Sequence, residues 1–495
     1  MPPSNSPKIL SMSLLLPFFL FSLLILHAPP PAAAVAATGV HGYGGDKQVL
    51  TLNKFKWTHQ QTNTPNCFSQ RSRTEKSATI LELHHRDNCF GPRSDWNQRF
   101  LKHLLSDQIR VRSIQSRIKT ALSKGSDQEL SQAQIPLASG VKLQTLNYVA
   151  TVGLGGRNVT LIVDTGSDVT WVQCQPCGSC YNQQEPLFNP AQSPTYKSIV
   201  CKSKTCQDLD YATGKPGSCG VNSTNCNYSV VYGDGSYTQG DLASDNLVVG
   251  TVPIKGFVFG CGRENAGLFG GVSGLMGFGR TPLSMVSQTT DVFDGIFSYC
   301  LPSVTDLGPG SLILGNETSA YKISSPISYT NMLSNPMMPS FYFLNLTGIS
   351  IGGVSLQDPS FGKKEMLIDS GTVITRLPPS VYNAFKSEFV NQFSGFPKAP
   401  AYSILDTCFN LSSKKQVEIP TINLHFANDA KLTVDVSGIL YFAKADASQV
   451  CLALAGLKDE EEISIIGNYQ QKNTRVVYNT KELTLGFAKE TCSSG

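Results

Sequence analysis

Leu161-Ile162-Val163-Asp164-Thr165-Gly166-Ser167 and Met366-Leu367-Ile368-Asp369-Ser370-Gly371-Thr372 are two copies of one pattern. Each is an apolar run that delivers an aspartate into a turn of small residues, with a hydroxyl residue three places further on. The run reads as a buried strand, and the glycine permits the sharp turn that lifts the carboxylate out of the core. Ser167 and Thr372 stand where a hydroxyl can bond each carboxylate and fix its orientation. One such tetrad arises by chance in roughly one chain of this length in forty and would carry little weight. Two copies, with Asp369 following Asp164 by 205 residues, point to a pair of aspartates brought face to face by two lobes.

The surroundings of the two tetrads repeat as well. Asn147–Leu154 and Val159–Val163 alternate like hairpin strands around Gly155-Gly156-Arg157-Asn158 and lead into Asp164. Ser340–Ile351 and Val354–Leu356, joined through Gly352-Gly353, precede Asp369 in the same way. The apolar-apolar-Gly element Leu275-Met276-Gly277 ends 113 residues after Asp164, and Ile465-Ile466-Gly467 ends 98 residues after Asp369. A glycine in such a strand allows another backbone to approach closely. Between them, Val230-Val231-Tyr232-Gly233-Asp234-Gly235-Ser236 reads as a strand ending in a hairpin tip. Leu377-Pro378-Pro379-Ser380 predicts a capped helix with Val381, Phe385, Phe389 and Val390 on one face. Pro282–Gln288 predicts a short helix, and Thr474–Tyr478 and Leu483–Ala488 are terminal strands completing the second lobe.

From about Asn147 to the C-terminus these residues resemble the pepsin-like aspartic proteases, in particular their plant nepenthesin-like branch. The resemblance implies a mainly β, bilobal fold with pseudo-twofold related lobes and few short helices. It implies that Asp164 and Asp369 are the catalytic dyad, supported by Thr165, Gly166, Ser167, Ser370, Gly371 and Thr372. Tyr232 and Gly233 stand at the active-site flap, and Trp171 stands where the family supports the flap tyrosine. Core packing alone would also account for Trp171. No metal or other cofactor is implied.

The 495 residues are 41% apolar and 15% charged, which suits a globular chain with a large core. The net charge of +4 conceals a split, since residues 46–134 carry 15 Lys+Arg against 8 Asp+Glu while residues 135–495 carry 24 against 28. Ahead of the basic part, Lys8, the apolar run Ile9–Leu26 and the alanine-rich stretch to Ala37 follow the pattern of a cleaved signal peptide. Six Asn-x-Ser/Thr sequons, at Asn158, Asn222, Asn227, Asn316, Asn345 and Asn410, agree with a secretory route as glycosylation candidates.

The 14 cysteines read as disulfides in that compartment, although Cys174, Cys177 and Cys180 have a spacing that elsewhere binds zinc. Cys67 and Cys89 form one candidate pair. Cys174, Cys177, Cys180, Cys201, Cys206, Cys219, Cys226, Cys261, Cys300, Cys408, Cys451 and Cys492 allow six more, in an order that spacing does not fix. The cluster from Cys174 to Cys226 resembles the cysteine-rich insertion of nepenthesin-like enzymes.

These boundaries give a signal peptide at 1–37, a basic propeptide at 38–134, an N-terminal lobe at 135–325 and a C-terminal lobe at 326–495. The propeptide is expected to place the Thr79–Arg86 strand in the body's sheet. Basic helices within 95–124, with Phe100, Leu101, Leu104, Leu105, Ile109, Val111, Ile114 and Ile118 at largely helical spacing, would cover an acidic cleft. Ser123–Gln134 is a polar candidate for processing. An accessory domain with a solvated basic face would carry the same charge.

The expected function is hydrolysis of peptide bonds in protein substrates at acidic pH by a soluble, monomeric enzyme. It would be inhibited by its own propeptide, without a membrane anchor, in the apoplast or vacuole. One rival is a binding protein resembling the plant xylanase inhibitors, which have usually lost parts of the catalytic apparatus; both tetrads and Tyr232 are intact here. Another is a plastid nucleoid protease, which the chain also resembles. Its basic segment, however, lacks the aromatic interleaving and motifs of a nucleic-acid binder.

Overall fold

Each aspartate sits at the end of a strand that is paired on both sides. In the first half, Tyr148–Leu154 and Arg157–Asp164 run antiparallel around a turn of only two residues, Gly155 and Gly156. Their φ angles of 54° and 81° are open to glycine at little cost. The turn is thus tighter than the expected Gly155–Asn158, because Arg157 and Asn158 join the strand. The computed structural model describes residues 46–52, 67, 71–86, 89, 96–123, 148–220, 224–232, 235–267, 269–303 and 308–492. Residues 1–37, Asn222, Gly233 and the polar stretch 124–134 lie outside the described residues.

On its other side Arg157–Asp164 pairs in parallel with Gly274–Gly277, Gly277 opposite Asp164. The second half repeats the arrangement, with Glu365–Ile368 antiparallel to Tyr342–Ile351 and parallel to Ser464–Ile466. The glycines explain why both parallel strands end as they do. A Cβ on Gly277 would lie 2.3 Å from the Asp168 carbonyl, and one on Gly467 would lie 2.3 Å from the Val373 carbonyl. The hairpin through Gly352-Gly353 forms, closing on Val354–Ser355. It is the opposite end of Tyr342–Ile351, however, that pairs with the strand delivering Asp369.

The two halves share a sheet that sequence patterning does not announce. Its antiparallel order is Ser72–Glu75, Ala78–His85, Gly310–Leu314, Ile296–Cys300, Thr474–Asn479, Thr484–Lys489 and Ser328–Leu333. The terminal strands therefore do more than complete the second lobe, since Thr474–Asn479 pairs with Ile296–Cys300 from before residue 325. Arg475 is fully buried in this sheet, where it pairs with Glu490 and donates to Ser311 Oγ at 2.7 Å.

The helix Pro379–Gln392 buries Val381, Tyr382, Phe385 and Phe389, while Val390 is only half-buried. Its N-cap is Pro378, with Pro379 as first residue and no side-chain cap bond. Ser380 instead binds the Glu460 carboxylate through its N–H at 2.7 Å and its hydroxyl at 2.8 Å. A short helix spans Met285–Gln288 as expected.

All 14 cysteines pair. Cys67–Cys89 closes within the N-terminal segment, and Cys177–Cys180 forms a small loop tethered by Cys174–Cys261. Cys201–Cys219 and Cys206–Cys226 cross-link the rest of the insertion. Cys300–Cys492 ties the C-terminus to the shared sheet, and Cys408–Cys451 lies between adjacent strands of the second half. Of the sequon asparagines, Asn158 and Asn316 are exposed, and Asn227, Asn345 and Asn410 are half-buried.

Residues 96–123 form one helix of 28 residues instead of several. Leu104, Val111, Ile114 and Ile118 are buried at 0–6% exposure, whereas Leu101 and Leu105 are 40% and 36% exposed. The buried positions step by three and four residues and include Asp107, so they form one stripe along the helix. Leu104 packs among Val373, Ile374, Leu405 and Tyr441; Val111, Ile114 and Ile118 pack with Phe341, Phe343, Leu367 and Ile465. These contacts along the stripe are apolar. Among the described residues no helix is long and apolar enough to cross a membrane.

Candidate active site

Asp164 and Asp369 meet across the boundary between the halves. Ser167 Oγ donates to Asp164 Oδ2 at 2.6 Å, and Thr372 Oγ1 donates to Asp369 Oδ2 at 2.5 Å. The Gly166 and Gly371 N–H groups donate to the other oxygens, at 3.1 and 2.9 Å. Each carboxylate is therefore held by its own loop through one hydroxyl, as both tetrads predict, and through one amide besides.

The loops also hold each other. The Thr165 N–H donates to Ser370 Oγ at 3.1 Å, and the Ser370 N–H donates to Thr165 Oγ1 at 2.9 Å. Glycine is required beside them because each carboxylate lies over the opposite loop. A Cβ on Gly166 would stand 2.8 Å from Asp369 Oδ1, and one on Gly371 would stand 2.4 Å from Asp164 Oδ1. Both aspartates are at most 1% exposed.

Trp171 Nε1 donates to the Tyr232 hydroxyl at 2.7 Å, and the fully buried indole packs edge-on against Phe269. Trp171 is thus both core and support for Tyr232. The Tyr232 N–H donates to the Ser236 carbonyl at 2.8 Å and closes the hairpin between Cys226–Val231 and Tyr237–Val249. Burial, reinforced by the Asp164 charge, pushes the Tyr232 phenol well above its usual pKa, so it stays neutral.

Arg110, from the long helix, sits directly on the two carboxylates. Its Nη2 donates to Asp164 Oδ1 at 2.7 Å and to Asp369 Oδ1 at 2.9 Å, while Nε donates to Asp369 Oδ2 at 2.9 Å. Burial opposes ionisation of Asp369, but the Arg110 charge and hydrogen bonds from Arg110, Thr372 and Gly371 outweigh it and lower the pKa. Burial likewise works against charge on Arg110, and both aspartates overcome it, so the guanidinium is held protonated.

One helical turn earlier, the buried Asp107 accepts from the N–H groups of Val373 and Ile374, at 2.6 and 3.2 Å, and from Arg376 Nη2 at 2.6 Å. Further along, the Gln115 side chain exchanges hydrogen bonds with the backbone of Ile463, at 2.7 and 3.0 Å. Arg110, Asp107 and Arg376 escaped sequence reasoning. The one available signal was Asp107, a charged residue inside an apolar stripe of helical spacing.

Sequence comparisons show the family. The family described as "Xylanase inhibitor N-terminal" matches residues 148–316, and "Xylanase inhibitor C-terminal" matches residues 341–489. The chain belongs to the pepsin-like aspartic protease family. An aspartyl protease family protein of Arabidopsis thaliana is 42% identical over 434 residues, covering 86% of this chain and 89% of that protein. The aspartic proteinase nepenthesin-2 of Nepenthes gracilis is 34% identical over 393 residues, covering 76% and 86%. Among solved structures, soybean basic 7S globulin superposes with a TM-score of 0.56 at 20% identity, covering 71% of this chain and 95% of that one.

Proposed function

We propose that the chain is the precursor of an acid endopeptidase in which Asp164 and Asp369 hydrolyse peptide bonds through an activated water. The observation that carries this is the pair of carboxylates set over one another's loops with both hydroxyl supports and both glycines present. Two carboxylates so close cannot both ionise readily once Arg110 is gone, so one keeps a proton. The ionised partner draws a proton from the attacking water, the protonated one stabilises the oxyanion, and a proton then passes to the leaving nitrogen. Tyr232, near enough to Asp164 to feel its charge and itself neutral, orients the peptide and excludes water, as lids generally do. The complete dyad favours this reading over a binding protein on the same fold.

Residues 38–134 act as an inhibitory prosegment in this proposal. Arg110 takes the place between the carboxylates that the water needs, and the apolar stripe fills the surface on either side. Excision at about residue 134 would withdraw Ala78–His85 from the shared sheet and leave Gly310–Leu314 short of a partner. Signal peptide, disulfides and sequons support a secretory route to the apoplast or vacuole.

The test is to express the full chain, acidify it, and follow cleavage of a denatured protein with and without pepstatin. Pepstatin-sensitive cleavage accompanied by loss of the prosegment supports the proposal. Folded protein freed of its prosegment that cleaves nothing contradicts it.

A further inference from the structure

We propose that Arg376, with the backbone N–H groups of Val373 and Ile374, forms a carboxylate-binding subsite beside the dyad. The activated enzyme would then select substrates with a glutamate or aspartate one to three residues from the scissile bond. The inference rests on the protease reading above and adds a substrate class to it.

The site is already occupied, by a carboxylate that the proposed activation removes. Asp107 is 0% exposed and receives all three donors, at 2.6, 3.2 and 2.6 Å. The donors belong to the body of the enzyme, while Asp107 belongs to the helix that must leave before catalysis. Val373 and Ile374 follow Thr372, the residue that holds Asp369, so the receptor is anchored to the catalytic loop itself. Arg376 lies in the Thr375–Leu377 strand, which pairs in parallel with Leu454–Gly456, so its backbone is fixed whether or not the helix is present.

Departure of the helix leaves Arg376 without its counterion. Among the described residues its one ion pair is to Asp107, and its Nη1 has no hydrogen-bond partner. Arg376 is 2% exposed with the helix docked, so departure of the helix both removes its counterion and opens the guanidinium to an incoming peptide. A substrate carboxylate restores the arrangement, with Nη2 of Arg376 and the two amides donating to its oxygens as they do to Asp107. A substrate amide does not. Asp107 precedes Arg110 by three residues, roughly 4.5 Å along a helix axis. An extended peptide advances about 3.3 Å per residue, which sets the range of one to three residues from the dyad.

The experiment uses full-length chain activated in acid and a set of fluorogenic peptides with one apolar cleavage pair. Glu or Gln is placed in turn at each of the three positions on either side. At pH about 5, where Glu is ionised, one position is expected to show at least a tenfold higher kcat/KM for Glu than for Gln. The preference should fade as pH falls below about 4, and it should vanish in Arg376→Gln. Cleavage with equal Glu and Gln rates at every position overturns the subsite and leaves the protease reading standing. If no peptide is cleaved, reduced-bond analogues of the same pairs are titrated into the activated chain by calorimetry. Tighter binding of one Glu analogue supports the subsite even then, and equal binding overturns it. The wild-type comparison needs no variant, so a misfolded Arg376→Gln protein does not obscure the result.

Discussion

Thr165 and Ser370 exchange hydrogen bonds across the boundary between the two halves, each N–H donating to the other's hydroxyl, at 3.1 and 2.9 Å. This reciprocal pair fixes the separation of Asp164 and Asp369, the residues immediately before Thr165 and Ser370. Replacing Thr165 by Val keeps the shape and removes the hydroxyl acceptor, leaving the Ser370 N–H buried without it. About 1–3 kcal/mol of stability should be lost, measured by denaturant unfolding, together with a fall in kcat of the activated chain. Unchanged activity would mean that the halves are aligned by the shared sheet alone.

Acid should release the long helix. Burial alone would raise the Asp369 pKa, but Arg110 overrides it and lowers the value below the ordinary 3.8. A depressed carboxylate pKa stabilises the docked state above the ordinary value, and that contribution is lost as pH falls through the depressed one. Arg110 stays protonated throughout, so the titrating partner is Asp369. Hydrogen exchange across residues 96–123 should be protected at pH 6 and accelerate in acid.

Arg110→Gln should loosen inhibition without touching the body of the enzyme. It removes the charge that spans both aspartates, so one of them takes up a proton and the docked helix loses its ion pairs to the dyad. Uncleaved precursor carrying this change should hydrolyse a short peptide at least about tenfold faster than wild-type precursor, a ratio of about 1.4 kcal/mol. Its thermal unfolding should fall only slightly, because Leu104, Val111, Ile114 and Ile118 still pack.

Arg475 supplies a stability test remote from the dyad. The fully buried guanidinium joins Thr474–Asn479 to Glu490 and to Ser311 of a neighbouring strand. Arg475→Met strands the Glu490 carboxylate in the sheet and should cost about 3–5 kcal/mol in denaturant unfolding. The double variant Arg475→Met with Glu490→Gln should recover part of that loss.

What the sequence makes legible is local. Two tetrads, two glycine-ended strands and the hairpin strands either side of Tyr232 can be read within windows of a few residues, and each described part lands where its pattern predicts. Trp171 bonding Tyr232 follows from the family resemblance. The shared sheet was not legible, because Ile296–Cys300 finds its partner in Thr474–Asn479, far along the chain. Arg110 and Asp107 were hidden for another reason. The helical spacing marks Asp107 alone as inward, and only the docked structure shows which of the many Arg and Lys residues reaches the dyad. The disulfide order likewise needed the fold, since spacing alone does not reveal that Cys174 passes over its neighbours to reach Cys261.

The most direct test of the two-carboxylate account is the kcat of acid-activated wild-type chain against Asp164→Asn and Asp369→Asn, prepared by cleavage of the same precursor. Each substitution removes one proton-transfer group and should lower kcat by about 10²- to 10⁴-fold, with far-UV circular dichroism unchanged. Near wild-type turnover in either folded variant would contradict it.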